Sequence, residues 1–305
     1  MRTILLWMAR NPWLRDRVPR LAFVRRAVRR FMPGEDVADA LKAADALMAS
    51  GQGILFTRLG ENLTSIAEAD VVAAHYHDVL DEGRSRDRPI EISVKPTQLG
   101  LDIDREATFA HCDRLATHAA EVGSWFWLDM EGSPYVDPTI ELYERLRATH
   151  DNVGICLQAY LRRTAVDVRR LLAIRPAIRL VKGAYDEPAA IAYRRKAEVD
   201  ASYQTVAVAI AEAARDGNAR LGLGTHDVEL VRRIATFAEA AGVPREKLEV
   251  HMLYGIRAPE LRRLQKEGFP AFTLVAYGEF WYPWYMRRLA ERPANVIFAL
   301  RQILP

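Results

Sequence analysis

The 305-residue sequence has only two cysteines, Cys112 and Cys156, and they lack metal-type spacing. That argues against a disulfide scaffold or a thiolate zinc site. The pair read as reduced thiols of a cytoplasmic protein, one on a helix and one in a strand. No apolar run reaches the roughly 18 residues needed to span a bilayer. Met1 to Met8 holds Arg2 and several apolar residues, but Arg10, Arg15, Arg17 and Arg20 follow too soon for a secretory leader. Neither sign of charge dominates: the net charge is +3, and arginines are spread among acids, so nothing marks nucleic-acid binding. No Gly-x-Gly-x-x-Gly follows the first strand-like run, which argues against a doubly wound dinucleotide fold. A Gly-x-Ser-x-Gly nucleophile elbow is also missing. No His, Asp and Glu positions show metal-type spacing, although His226, His251 and Asp129 could in principle converge, and no metal is expected.

What is present is a rhythm. Short β-prone runs at 53–59, 90–95, 125–130, 154–157, 178–182, 221–225, 248–252 and 271–275 alternate with amphipathic segments. Those segments include 105–121, 139–149, 164–172, 189–216, 228–241 and 259–267. Eight strands alternating with helices predict an α/β fold, a (β/α)8 TIM-type barrel. Residues 1–50 read as an N-terminal helical arm and 51–305 as the catalytic barrel. In the arm, 18–31 is basic and amphipathic, suiting either a packing arm with a wet basic face or contact with an anionic membrane surface. Residues 36–50 carry a helical stripe of Val37, Leu41, Ala44 and Leu47.

Active sites of such barrels lie at the C-terminal ends of the strands. Polar residues gather there: Glu61, Ser93 and Lys95, Asp129 and Glu131, Gln158, Lys182, Thr225 and His226, and His251. Arg179 and Lys182 lie three apart on one strand, so a regular strand sends them to opposite faces. Gly183-Ala184 is a small-residue step where a large flat ligand can approach the backbone. Past the last strand, Pro283 suits a first helical turn, and Trp284 lies three and four residues before Arg287 and Arg288. Two guanidinium forks beside aromatic rings make a clamp for a small carboxylate with an apolar body.

These motifs together resemble the proline dehydrogenase family in its short monofunctional bacterial form. The matching pieces are Leu59-Gly-Glu61, Ser93-Val-Lys95, Leu128-Asp129, Gln158-Ala-Tyr160, Arg179-Leu-Val-Lys-Gly-Ala-Tyr185, Gly224-Thr-His226, Met252-Leu-Tyr-Gly255 and Arg287-Arg-Leu-Ala-Glu291. The resemblance implies FAD, noncovalently bound. It implies oxidation of L-proline to 1-pyrroline-5-carboxylate, with electrons passed to a membrane quinone. A cytoplasmic protein with peripheral contact to the inner face of the membrane fits that acceptor. By the same resemblance, Arg287 and Arg288 bind the substrate carboxylate, and Lys95 pairs with it or its neighbours. Asp129 sits at the flavin–substrate junction, Arg179 bonds the flavin near N5, and Gln158 contacts the pyrimidine side. Lys182, Gly183 and Ala184 line the ribityl and phosphate path, and Thr225 and His226 take the phosphate or adenosine side. Glu61 closes over substrate by pairing with Arg287.

Two positions depart from the family pattern. Leu274 and Trp284 stand where the family has tyrosines that touch the substrate ring, and Tyr277 or Tyr285 is expected to substitute for them in part at the substrate. The carboxylate clamp is therefore intact and the ring pocket altered. A relative that oxidises a different, more apolar cyclic amino acid is the alternative, as is a flavin-free lyase using Lys95 or Lys182 as a Schiff base.

Overall fold

The computed structural model describes residues 7–8, 11–18, 21, 24, 28–60 and 63–291, without the side chains of 12, 15, 16 and 287–291. Eight parallel strands close into a barrel in chain order. They are β1 (Gly53–Arg58), β2 (Ile90–Val94), β3 (Phe126–Leu128), β4 (Val153–Gln158), β5 (Ala177–Val181), β6 (Arg220–Gly224), β7 (Leu248–Leu253) and β8 (Ala271–Tyr277). The seam is the pairing of β8 with β1, from Gly53↔Phe272 to Arg58↔Tyr277. In chain order the helices are α1 (Pro12–Arg17), α2 (Val37–Met48), α3 (Ile66–Arg84), α4 (Arg105–Glu121), α5 (Val136–Arg147), α6 (Thr164–Leu171), α7 (Lys196–Arg215), α8 (Val228–Ala240), α9 (Ala258–Lys266) and α10 (Trp281–Glu291). The barrel expected from the alternating pattern is the one found.

Local chemistry sets the boundaries. Asp104 caps α4 by accepting from the amides of Glu106 and Ala107, and Asp227 caps α8 by accepting from Leu230. The helical reading of 189–216 fails over its first seven residues, because α7 starts only at Lys196. Tertiary bonds claim that stretch. The Ile191 carbonyl accepts from the amide of Arg162 at 2.9 Å, the Tyr193 amide donates to the Tyr160 carbonyl at 2.8 Å, and Leu161 bridges to Ala192.

Strand alternation sorts the side chains. Ile54, Phe56, Ile90, Ile92, Ile155, Ile178, Leu221 and Val250 face the helices and form the main core, which α2 joins through Ala40, Leu41 and Ala44. The inward face mixes charged residues with large apolar ones such as Leu55, Trp127 and Phe272, and its bulk is matched by glycine. A Cβ on Gly53, Gly154 or Gly222 would lie within 3 Å of Phe272, Trp127 or His251 respectively.

At the N-terminal end of the barrel Arg220 reaches across to Glu91 at 2.7 Å and to Glu249 at 2.9 Å, while Trp127 donates its indole N–H to Glu91 at 2.6 Å. His251 Nε2 lies 3.0 Å from Glu249, with its ring stacked on Phe272. Burial pushes the imidazole down to about 4, against the pull of Glu249. The sign of the linkage follows. Above its ordinary value of 6.5 the ring is neutral in folded and unfolded chains alike. Below that, the unfolded chain takes up a proton that the fold refuses until pH falls to about 4, so stability drops through this window. The drop for this one group is on the order of 3 kcal/mol. Urea unfolding followed from pH 6.5 down to pH 4 should show it, and His251→Phe should flatten the slope. An identical slope in the variant would remove His251 as its source.

The end of the N-terminal arm crosses the C-terminal face. Val28, Phe31 and Met32 form a second buried cluster with Leu59, Ala276 and the first two turns of α10. Among the described residues no helix is long and apolar enough to cross a membrane.

Candidate active site

The C-terminal ends of β2, β3, β4 and β5 converge on Arg179, which is 3% exposed. Its Nη2 donates to Ser93 Oγ at 2.6 Å and forms an ion pair with Asp129. Ser93 Oγ in turn donates to Asp129 Oδ1 at 2.9 Å, closing a three-membered ring of bonds. Burial works against the charged guanidinium, but Asp129 beside it prevails and the net shift is upward. The other amine, Nη1, is buried and has no hydrogen-bond partner. Buried donors are paired in nearly all folded proteins, and beyond Asp129 and Ser93 the guanidinium has only the weakly accepting Cys156 thiol beside it, which leaves Nη1 able to donate to a bound group.

Gln158, at the end of β4, repeats the pattern. Its Nε2 donates to the Glu131 carbonyl at 3.3 Å, and its buried Oε1 has no partner. Lys95 follows Ser93 in the inward register and lies close enough to Glu131 to pull that carboxyl down. Burial is the larger effect there and leaves Glu131 raised overall. Thr97 holds Glu131 by its amide and hydroxyl at 3.3 and 2.8 Å. Gln98 donates to the carbonyls of Arg58 and Gly60, which fixes the chain just before Glu61. Glu61 itself lies outside the described residues.

Lys182 points the other way, as strand parity predicts. Its ammonium sits 2.5 Å from Asp200 and 2.8 Å from Asp227, on the helix side. Burial alone would raise Asp227, yet the bond from Lys182 outweighs it and the carboxyl falls to about 2. The structure therefore places the Lys182 ammonium between two carboxylates on the helix side, away from the rim where a phosphate contact or a Schiff-base amine was expected. Gly183 and Ala184 do line the rim, half-exposed. Gly183 has φ +119, and a Cβ there would strike the Tyr160 ring, so the backbone can turn here only as glycine. Thr225 is buried and bonded to the amide of Asp227, and His226 is half-buried beside it.

Of the proposed ring-pocket residues, Leu274 faces the barrel interior and packs beside Leu55 and Trp127. Tyr277 does not join it, which corrects the expectation. β8 runs two residues past the anticipated end, and its alternation turns Tyr277 outward. Its ring packs edge-on to Phe56, and its hydroxyl meets His75 Nε2 of α3 at 2.8 Å. Trp284 is 8% exposed within the cluster that joins α10 to the arm. Arg287 and Arg288 lie in α10, but their side chains fall outside the described residues.

The profile of the family described as "Proline dehydrogenase" matches residues 40–301. "Proline dehydrogenase 1" of Bacillus subtilis (strain 168) is 32% identical over 304 residues, covering 100% of this chain and 99% of the relative. The chain belongs to the proline dehydrogenase family. As a proline dehydrogenase family member it is an oxidoreductase. It is also 32% identical over 280 residues to "Proline dehydrogenase" of Deinococcus radiodurans, covering 90% of this chain and 89% of that one. The fold matches proline utilization A of Bdellovibrio bacteriovorus with TM-score 0.81 at 22% identity, covering 94% of this chain and 37% of that longer one. Proline utilization A of Bradyrhizobium japonicum aligns with TM-score 0.75 at 20% identity, covering 92% and 32%.

Within this proline dehydrogenase barrel, sequence reasoning gave no role to Ser93 or Glu131. Both sit at strand ends and were visible as polar tips. Their importance comes from barrel closure, which brings Ser93 against Arg179 and Glu131 against Thr97.

Proposed function

We propose that the protein is an FAD-dependent enzyme that oxidises L-proline to 1-pyrroline-5-carboxylate and passes the electrons to a quinone. The observation that carries this reading is the pair of orphaned buried atoms, Arg179 Nη1 and Gln158 Oε1, at the rim of a barrel in this family. A donor and an acceptor at adjacent strand ends suit the edge of a flat heteroaromatic ring that presents both kinds of group. Arg179 and Gln158 would hold the ring system, with Gly183, Ala184, Thr225 and His226 along the rest of the cofactor. A flavin held there would supply the acceptor for a hydride from the ring carbon beside the substrate nitrogen.

The chain's own residues do the remainder. Arg287 and Arg288 bind the carboxylate and orient the ring. Lys95, steadied by Glu131, adds a second cation near that carboxylate. Asp129 and Ser93 hold the Arg179 guanidinium so that its charge faces the site, and Glu61 closes over the substrate against Arg287. The amine must lose its proton before hydride loss, so the rate of flavin reduction should rise with pH.

The test is a purified yellow protein whose flavin leaves on acid denaturation and bleaches anaerobically on adding substrate. Proline, hydroxyproline, pipecolate and alkyl-prolines should be compared. Proline fastest, with efficiency of roughly 10⁴ M⁻¹s⁻¹ or more, supports the reading. A colourless protein that FAD cannot reconstitute would overturn it. Faster bleaching by an alkyl-proline would trace to Leu274, the inward residue that leaves the pocket without the family's phenol.

A further inference from the structure

Helix α10 does not hold its place over the barrel by its own contacts with the strands alone. Trp281 is 1% exposed, and part of what covers it is the end of the N-terminal arm. The ring of Phe31 lies 5.7 Å from that of Tyr285, and Tyr285 lies 6.2 Å from Trp281. The indole N–H of Trp281 donates to Glu35 Oε1 at 2.8 Å, the bond that ties the arm to the helix most directionally. On its other side the arm is seated on the loop after β7. Gly255, at φ +73, leaves room for the carbonyl of Arg30, which would lie 1.6 Å from a Cβ at that position. Residues 28–35 are thus gripped between that loop and the helix that carries Arg287 and Arg288.

We propose that this end of the arm sets the orientation of the carboxylate clamp, with Glu35 as a positioning residue acting through Trp281. This rests on the reading of Arg287 and Arg288 as the clamp. Apolar rings pressed together tolerate rotation of a helix about its axis, because dispersion has little directional preference. A hydrogen bond to an indole on that helix does not tolerate it. Two-point recognition of a carboxylate needs angular precision in the guanidinium forks. The Glu35–Trp281 bond supplies the missing constraint, from the opposite end of the chain.

The test uses the flavin-loaded full chain and tetrahydrofuran-2-carboxylate, which has proline's ring and carboxylate but no oxidisable amine. Its dissociation constant is read from the change it causes in the flavin spectrum, without turnover. Glu35→Ala should weaken binding about five- to tenfold, the effect of losing one directional bond. Trp281→Phe, which keeps a ring and loses the donor, should do the same, and the double variant should be no worse than either single one. Glu35→Gln keeps an acceptor oxygen and should bind as the wild type does. KM for the substrate should rise with kcat held, and flavin content should not change. Unchanged analogue binding in Glu35→Ala, with binding lost in Arg288→Met, overturns the proposal alone. Equal losses in Glu35→Gln and Glu35→Ala overturn it as well. Unchanged binding in Arg288→Met removes the clamp reading and the proposal with it.

Discussion

Arg179→Met should slow flavin reduction by roughly 10²–10³-fold, the usual cost of losing one preorganised charge-stabilising donor. The same change should destabilise the fold by about 3 kcal/mol, because it strands Asp129 without its cation. Asp129 keeps 21% side-chain exposure, so water offsets part of the loss and the lower end of the range for broken buried pairs applies. The two effects separate in the double variant Arg179→Met/Asp129→Asn. Neutralising Asp129 should recover most of the stability, read as the urea midpoint, and none of the rate. A single variant with the wild-type reduction rate would place Arg179 away from the reacting ring.

Arg288→Met should weaken binding of a carboxylate ligand by roughly 2–5 kcal/mol, the range for truncating one partner of a desolvated charge pair. That is at least a thirtyfold rise in dissociation constant. Flavin content should stay near that of the wild type, since the cofactor contacts proposed for β4, β5 and β6 are untouched. The measurement is titration with the non-oxidisable analogue, followed by anaerobic reduction with proline at several concentrations. Saturation at wild-type concentrations would show that the substrate carboxylate is held elsewhere.

The barrel is legible in the sequence because the strands bring apolar residues, most of them β-branched or aromatic, to the helix side, as in Ile90, Ile92 and Val94. The charges on the other face are not legible as a group. Glu91, Arg220 and Glu249 are far apart in sequence and look like separate surface residues until closure sets them around one centre. Arg179 stands out in its motif, whereas Ser93 is an ordinary strand hydroxyl until β5 delivers a guanidinium to it. The outward turn of Tyr277 is not legible either, because the β-prone run ends at Val275, while the pairing of β8 with β1 continues to Tyr277. The union of arm and α10 has no local signature, since it joins residues near 31 to residues near 285.

The glycines inside the barrel have a consequence for how such a sequence can drift. The space beside Gly154 is filled by the indole of Trp127, and the space beside Gly222 by the imidazole of His251. A lineage that gains a side chain at either glycine must first give up the ring opposite. The rings are not inert filler: Trp127 bonds Glu91, and His251 bonds Glu249. Losing one would leave a buried carboxylate short of a partner, so the charge has to be renegotiated in the same step. Glycine, ring and carboxylate therefore form a linked set, open to coordinated replacement and closed to change one position at a time.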